Sequence, residues 1–245
     1  MPAAFSPHKI RNMVYTFKPI GIIHSPYKEK FGIPRQPLLV KATHGTLELF
    51  PPYNHPDTVR GLTGFSHLWI TFVFHQSVHQ GWAPLVRPPR LGGNTRMGVF
   101  ATRSPHRPNP CGLSLVELIH IETSGHVTLT LAGIDLLDGT PVIDIKPYLP
   151  FIESIPEARR GFAETPPPRL SVVWSLKATQ SLYTLSDKPS EEGKVIEDVL
   201  AYDPRPAYQD DPERCYGMTL IRYTVRFRIT RKQVEVLEIH PYSPN

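Results

Sequence analysis

The stretch HVTLTLA at residues 126–132 alternates apolar and polar side chains along its whole length. In an extended chain its valine and two leucines lie on one face, and its two threonines lie on the other. This period of two predicts a β-strand with one buried face and one face toward solvent. We therefore start from this strand and look for partners on either side of it.

Further strand-like segments occupy most of the chain before residue 150, and helical periodicity is almost absent there. The chain also has 28 prolines in 245 residues, about 11% against a usual ~5%. Because proline inside a helix costs about 3 kcal/mol, this density argues against a helix bundle. An all-β barrel or sandwich is predicted. Its candidate strands are 19–23, 38–43, 46–50, 67–75, 97–102, 113–121, 126–132 and 142–145.

A second unit is predicted after the proline-rich linker ETPPP at residues 164–168. Ser190 is a candidate cap for a helix that carries apolar side chains between 195 and 200. Residues 223–229 alternate like a strand, and residues 233–239 are expected to pair back against them. Residues 165–245 are thus expected to form a small α+β domain. So few residues bury little core, so this domain should pack on the barrel or on a partner chain.

Cysteine usage and hydropathy predict a cytoplasmic protein. The two cysteines, Cys111 and Cys215, are too few for a disulfide framework. The longest apolar run, Trp69–Phe74, is far too short to cross a membrane. The first 17 residues lack the apolar segment of a signal peptide.

Positive charge is concentrated in the first part of the chain. Residues 1–164 contain 16 basic and 11 acidic side chains, whereas residues 165–245 contain 11 of each. Between Thr58 and Val116 there is no Asp, Glu or Lys, and six arginines supply all the charge. Arginine binds phosphate and carboxylate in a bidentate fork, so an anionic partner is expected. A basic surface that serves only solubility is the other interpretation.

Several enzyme classes are excluded by missing motifs. The chain has no G-x-G-x-x-G, no phosphate-binding P-loop, no H-E-x-x-H, no C-x-x-C and no G-x-S-x-G. A Rossmann enzyme, a P-loop NTPase and a serine hydrolase are therefore not expected. His75 and His79 share a strand face, but no third ligand follows from the spacing, so no metal site is predicted.

Two dense blocks of polar and turn-forming residues remain. Residues 91–113 hold Asn94, Arg103, His106, Arg107 and Asn109 in loops rich in glycine and proline. Residues 135–148, DLLDGTPVIDIKPY, contain a D-G turn followed by a short strand. Long polar loops held by prolines are more often functional than structural, so both blocks are candidate binding segments.

At these blocks the sequence resembles the TrmO (YaeB) family of S-adenosylmethionine-dependent tRNA adenine-N6-methyltransferases. The similarity covers nearly the full chain, with residues 1–15 as a variable N-terminal extension. The matching stretches are IGIIHSPY at 20–27, PRQ at 34–36, FSHLWI at 65–70, GVFATRSP at 98–105, RPN at 107–109, DGTP at 138–141 and DPRPAY at 203–208.

The resemblance implies a homodimer of single-sheet β-barrels, with residues 16–164 as the methyltransferase domain. It implies S-adenosylmethionine as cofactor and N6-threonylcarbamoyladenosine at position 37 of tRNA as substrate. The implied cofactor contacts are Pro34, Arg35, Gln36, His75, Gln76, Arg103, Leu113, Asp138, Gly139, Thr140 and Pro141. Arg35 or Arg103 would bind the cofactor carboxylate bidentately.

The chemistry adds a requirement for proton removal. N6 of the substrate belongs to a urea, and its delocalised lone pair is a poor nucleophile until its proton leaves. We expect Asp144 to act as base, with Asn109 and Arg107 as orienting donors. The competing interpretation of Asp144 is an ion-pair partner of Lys146 or an arginine. Residues expected to bind RNA are Arg90, Arg107, Lys146, Arg205 and Tyr208.

Two other functions stay open at this point. A non-catalytic RNA-binding β-barrel would use the arginine-rich loops only for phosphate. A methyltransferase acting on a different small substrate would bind the cofactor but not tRNA. Binding of S-adenosylmethionine would distinguish the tRNA methyltransferase from the RNA-binding barrel. Binding of tRNA would distinguish it from a methyltransferase that acts on another small substrate.

Overall fold

The computed structural model describes residues 13–206, 209, 211–230 and 233–243. Six strands form the first part of the fold: β1 (Gly21–His24), β2 (His44–Leu49), β3 (His67–Val73), β6 (Cys111–Glu122), β7 (Thr128–Ala132) and β8 (Thr140–Pro147). They close into an antiparallel barrel in the order β1-β2-β7-β6-β3-β8. This confirms the predicted single-sheet barrel.

The alternation in the sequence places apolar side chains inside the barrel. Leu129 and Leu131 of β7 are fully buried, and so are Leu68 and Ile70 of β3. Val116 of β6 completes this layer. A closed barrel has no free sheet edge, so each of these short strands is paired on both sides.

Two predicted strands differ from the structure. Residues 38–43 form turns, because Leu38 has a positive φ of 62° and donates its N–H to the Gly133 carbonyl at 2.8 Å. In residues 97–102 only β5 (Met97–Gly98) is extended, and it pairs with β4 (Leu85–Val86) in a two-stranded ribbon outside the barrel. A single helical turn, α1 (Pro150–Glu153), follows β8.

The C-terminal part is a four-stranded sheet with two helices, as the α+β prediction requires. The elements are β9 (Ser171–Trp174), α2 (Leu176–Leu185), α3 (Pro189–Leu200), β10 (Cys215–Leu220), β11 (Tyr223–Ile229) and β12 (Gln233–Pro241). The sheet order is β10-β11-β12-β9, with β9 parallel to β12. The predicted helix, α3, begins at Pro189, with Lys188 rather than Ser190 at the cap position.

The C-terminal sheet packs against the loop that follows β1. Phe31 stacks on Phe227 with ring centroids 6.3 Å apart. The Thr219 N–H donates to Glu29 Oε1 at 2.6 Å, and Ile221 N–H donates to the Pro26 carbonyl at 2.9 Å. The buried side chains of both parts form one continuous cluster. This agrees with the expectation that so small a domain needs a second surface to bury.

Within the described residues, no helix has the length and apolar character needed to cross a membrane.

Candidate functional site

A cleft of about 720 Å³ opens where loops from distant parts of the sequence meet at one end of the barrel. The loop after β1 forms one wall, and the end of β3 with the turn after it forms another. The loop 102–107 and the start of β6 form the third wall, and the segment between β7 and β8 forms the fourth. Each wall begins or ends at a barrel strand, so the barrel fixes their relative positions.

Most of the predicted cofactor residues border this cleft. They come from five segments that are far apart in sequence. The residues are Pro34, Arg35, Gln36, His75, Gln76, Arg103, Leu113 and Thr140.

Side-chain hydrogen bonds tie the walls of the cleft to one another. Arg103 Nη1 donates to Gln36 Oε1 at 2.6 Å, which joins the loop after β1 to the loop before β6. Lys30 Nζ donates to the Gln76 carbonyl at 3.4 Å and to Ser77 Oγ at 3.3 Å. The donors that face the cleft are therefore held before any ligand binds, which lowers the entropy lost on binding.

Arg35 connects the cleft to the C-terminal part of the chain. Its Nη2 donates to the Arg205 carbonyl at 2.7 Å and to the Asp203 carbonyl at 3.4 Å. Burial lowers the pKa of Arg35 below its ordinary value, and the nearby Asp203 opposes this shift. Arg35 remains charged, because a guanidinium stays protonated in proteins.

Aromatic rings and a glycine shape the apolar side of the cleft. Phe72 and Phe74 meet edge to face with centroids 4.9 Å apart. The Phe72 ring lies directly on the backbone of Gly112, where a Cβ atom would come within 2.2 Å of Cζ. Only glycine allows this approach, so Gly112 sets the depth of the cleft at this point.

The D-G turn at 138–141 is joined by hydrogen bonds to the end of β1 and to the residues that follow it. Asp138 accepts the Ser25 N–H at 2.8 Å and pairs with Lys28 Nζ at 2.8 Å. Gly139 has a φ of +77° and donates its N–H to the Ile23 carbonyl at 2.8 Å. Pro141 lies in β8 opposite Ile22. Of the four predicted residues in this turn, Thr140 is the one that borders the cleft.

A carboxyl group that the sequence did not single out also borders the cleft. Asp135 lies in the segment between β7 and β8, and Ser114 Oγ donates to its Oδ1 at 2.6 Å. Burial raises the pKa of Asp135 from an ordinary 3.8 to about 6, although Ser114 and Arg103 favour the charged form. The available sequence signal was one acidic residue inside the otherwise apolar run AGIDLL at 132–137.

The two residues predicted to be catalytic lie outside the cleft lining. Asp144 is opposite Thr71 of β3, which does border the cleft. Its carboxylate pairs with Lys146 Nζ at 2.5 Å and accepts the Ile145 N–H at 2.9 Å. Asn109 is exposed, and its carbonyl accepts the Cys111 N–H at 2.7 Å. Ion pairing with Lys146 was the competing interpretation of Asp144, and the structure contains that pair.

The residues predicted to bind RNA differ in how available their charges are. Arg90 is exposed and contacts the Thr165 carbonyl. Arg107 borders the cleft, donates to the Thr102 carbonyl at 2.8 Å and lies over the Phe100 ring. Lys146 is exposed and paired with Asp144.

Arg205 does not fit its predicted role in RNA binding. It is 8% exposed, and its Nε and Nη2 donate to the two Asp203 oxygens, each at 2.9 Å. A guanidinium that is buried and paired in this way is not available to a phosphate. Tyr208 lies outside the described residues.

More cationic than acidic side chains border the cleft. Four cationic side chains and one carboxyl group border it: Lys30, Arg35, Arg103, Arg107 and Asp135. Burial and the neighbouring Lys30 lower the pKa of His75, which favours its neutral form. In the part of the chain that the structure describes, no group of three or more His, Cys, Asp or Glu side chains could hold a metal ion. The excess of cationic side chains around the cleft suits a ligand that carries a carboxylate or phosphate.

Two family models match the chain over the two parts of the fold. The tRNA-methyltransferase O N-terminal domain matches residues 22–154, and the TrmO C-terminal domain matches residues 167–242. Together they span both the barrel and the C-terminal sheet.

Curated relatives agree with these family models. The chain is 52% identical over 231 residues to the tRNA (adenine(37)-N6)-methyltransferase of Escherichia coli K12, covering 93% of this chain and 98% of the relative. A human protein of the same name is 44% identical over 134 residues, covering 54% of this chain and 30% of the relative.

Two proteins from Pseudomonas aeruginosa extend the comparison. One has a name that assigns it to the S-adenosylmethionine-dependent methyltransferases, and it is 46% identical over 93% of this chain and 98% of its own length. The crystal structure of TrmO from the same organism superimposes with a TM-score of 0.79 at 40% identity, covering 93% of this chain and 99% of that one. The chain belongs to the tRNA-methyltransferase O family.

Proposed function

We propose that this protein transfers a methyl group from S-adenosylmethionine to N6 of N6-threonylcarbamoyladenosine at position 37 of tRNA. Membership of the tRNA-methyltransferase O family supports the cofactor, the nucleic acid and the methylated nitrogen. The threonylcarbamoyl group on the adenine is the finer part of the proposal. The observation that carries the proposed methyl transfer is one cleft that gathers eight of the eleven predicted cofactor residues from five separate segments.

The residues around the cleft fit S-adenosylmethionine by size and by chemistry. A volume of about 720 Å³ lies within the usual range of ligand sites, roughly 300–1,000 Å³. Arg103, and Arg35 behind it, offer guanidinium groups to the cofactor carboxylate. Gln76 offers an amide to a ribose hydroxyl or a base edge, and the rings of Phe72 and Phe74 offer an apolar surface to the adenine.

The reaction divides its requirements between the cofactor and the protein. When bound, S-adenosylmethionine supplies an electrophilic methyl group. The chain must hold the target adenine so that N6 faces that group, exclude water and accept the N6 proton. The basic loops would help to hold the target adenine, since cations around the cleft attract the phosphates that flank the target nucleotide.

The arginine-rich stretch between Thr58 and Val116 supports a tRNA-binding role for this side of the barrel. Arg90 is exposed on it, and Arg107 reaches the cleft itself. Counterions released from neutralised phosphates would supply most of the affinity, which would be sensitive to salt. We assign the remaining RNA contacts to exposed basic residues of this stretch rather than to the buried Arg205.

We also propose that the protein acts as a cytoplasmic homodimer. Three large apolar side chains are exposed on α1 and just after it. Phe151 and Ile152 in the helix are 84% and 64% exposed, and Ile155 after it is 64% exposed. A cluster of large apolar side chains on a surface marks an interaction site. Sedimentation of the purified protein at micromolar concentration is expected to give twice 27.7 kDa; a monomer that retains activity would contradict the dimer.

Methyl transfer to two matched tRNAs tests the proposed function. The purified protein is incubated with labelled S-adenosylmethionine and either tRNA that carries N6-threonylcarbamoyladenosine at position 37 or the same tRNA with plain adenosine. Digestion to nucleosides should place the label only on the threonylcarbamoylated adenosine. Equal labelling of plain adenosine would refute the finer substrate. Binding of tRNA without any labelling would favour the non-catalytic RNA-binding barrel.

A further inference from the structure

Asp135 lies at the boundary between the barrel core and the cleft. Its neighbours in the chain, Ile134 and Leu136, are each 1% exposed and anchor the segment in the barrel core. Asp135 itself borders the cleft, and its carboxyl group reaches Ser114, whose side chain is on the same face of β6 as the buried Val116. Ser114, itself buried in β6, donates to Oδ1 and fixes the orientation of the carboxyl plane.

The surroundings of Asp135 combine a low-polarity site with three groups that favour the anion. Burial disfavours the charged carboxylate, whereas the hydroxyl of Ser114, the backbone N–H of Asp135 itself and the charge of Arg103 stabilise it. The result is a pKa of about 6, so the group is ionised at neutral pH but far more basic than an ordinary aspartate. A base whose pKa is close to the working pH is the most effective proton acceptor.

Resting on the proposed function, we propose that Asp135 is the group that accepts the N6 proton during methyl transfer. Asp135 takes the proton of the N6–H bond, and the pair left on N6 forms the bond to the methyl carbon. The carbon–sulfur bond of the donor breaks, and sulfur keeps that pair as a neutral thioether. Asp135 then releases its proton to water, which restores the carboxylate.

Asp144 is the rival candidate, and its contacts make it the weaker one. Its carboxylate is paired with Lys146 and accepts the Ile145 N–H, so much of its acceptor capacity is used. Among the described residues Asp135 accepts hydrogen bonds from Ser114 Oγ and from its own backbone N–H, and no Lys or Arg forms an ion pair with it. A carboxylate has about four acceptor sites, so Asp135 keeps acceptor capacity toward the cleft.

Asp135→Asn tests the assignment, with Asp187→Asn as a matched control. Asn keeps the shape and the acceptor for Ser114 but cannot take a proton. Asp187 is exposed beyond α2 and does not border the cleft. We expect Asp135→Asn to lose about 100-fold or more in single-turnover rate, in the range typical of a general base. Calorimetry should show cofactor affinity within about threefold of the wild type, as for the control.

The pH profile gives a second readout that a structural role would not move. The wild-type single-turnover rate should fall below about pH 6 as Asp135 becomes protonated. The charged or titratable groups facing Asp135 are Arg103, the cations that border the cleft and the Tyr27 phenol, whose pKa is raised by burial. His75 also borders the cleft. The pH profile of His75→Gln is therefore measured as well, and an acidic limb that persists in this variant excludes His75 as its source.

Ser114→Ala supplies a variant that keeps the carboxylate. Because the Ser114 hydroxyl stabilises the anion, its removal should raise the pKa and move the acidic limb of the profile to higher pH. This measurement decides the question if Asp135→Asn does not fold.

The outcomes separate this proposal from the proposed function. An active wild type with Asp135→Asn near full rate would overturn the assignment and leave the function standing. An unmoved acidic limb in Ser114→Ala would overturn it as well, and so would a loss confined to Asp144→Asn. An inactive wild type would instead contradict the proposed function.

Discussion

Replacing Asp135 by Asn should stabilise the folded protein at neutral pH. The folded state holds the Asp135 proton more tightly than the unfolded chain, because burial raises the pKa from 3.8 to about 6. Keeping the group ionised therefore costs folding free energy. A shift of about two pKa units corresponds to about 3 kcal/mol at 1.36 kcal/mol per unit. Asn is neutral and still accepts the Ser114 hydrogen bond, so the variant avoids this cost.

The pH dependence gives the sign of the effect. Below the unfolded pKa of 3.8 both states carry the protonated carboxyl, and the wild type and Asp135→Asn should be equally stable. As pH rises through about 6 the wild type loses the stability that the bound proton supplied. At pH 7.5 the variant should therefore be more stable by about 2–3 kcal/mol, which is about 4–12 °C in Tm for a chain of this length.

Urea and thermal unfolding of both proteins at about pH 4 and at pH 7.5 measure this difference. Asp187→Asn, at an exposed position, should show no change of comparable size at either pH. The reasoning is refuted if Asp135→Asn is less stable than the wild type at pH 7.5. It is also refuted if the two proteins differ by the same amount at both pH values, because the difference would then not come from ionisation.

Three further substitutions test the cleft and the basic face. Arg103→Ala removes the guanidinium that reaches Gln36, and calorimetry should show cofactor affinity lower by about 10- to 100-fold, since hydrogen bonds to charged groups contribute about 1.5–3 kcal/mol. Unchanged affinity would place the cofactor carboxylate elsewhere. Gly112→Ala drives a methyl group into the Phe72 ring and should destabilise the fold by about 1–3 kcal/mol in urea unfolding, with weaker cofactor binding; a fully stable variant would show that the ring moves freely. Arg90→Ala should lower the slope of log affinity for tRNA against log salt by about 1, and an unaltered slope would remove Arg90 from the interface.

The barrel could be predicted from sequence because its signal is local. In residues 126–132 every second side chain is apolar, and the fold buries Leu129 and Leu131 as that period requires. Residues 38–43 have similar composition but form turns, because Leu38 adopts a left-handed backbone against Gly133. That contact joins positions 95 residues apart, so no local sequence pattern could have predicted it.

The site was predictable only in part, and for a related reason. Resemblance of short motifs located the loops, and the structure brings Arg35, Gln76 and Arg103 to one cleft. Composition and spacing alone could not have named their ligand. Asp135 was missed because its local setting is an apolar run, and its importance arises from Ser114 and Arg103 on other segments. Asp144 has the more typical sequence setting, yet the structure pairs it with Lys146.

Nucleoside analysis of tRNA from living cells tests the central claim most directly. The chain is expressed in an Escherichia coli strain that lacks its own 52%-identical relative, and tRNA is digested and analysed by mass spectrometry. The account predicts that N6-threonylcarbamoyladenosine gains one methyl group with the wild-type chain and not with Asp135→Asn produced at the same level. Threonylcarbamoyladenosine that stays unmethylated in cells containing the folded wild-type protein would contradict the account.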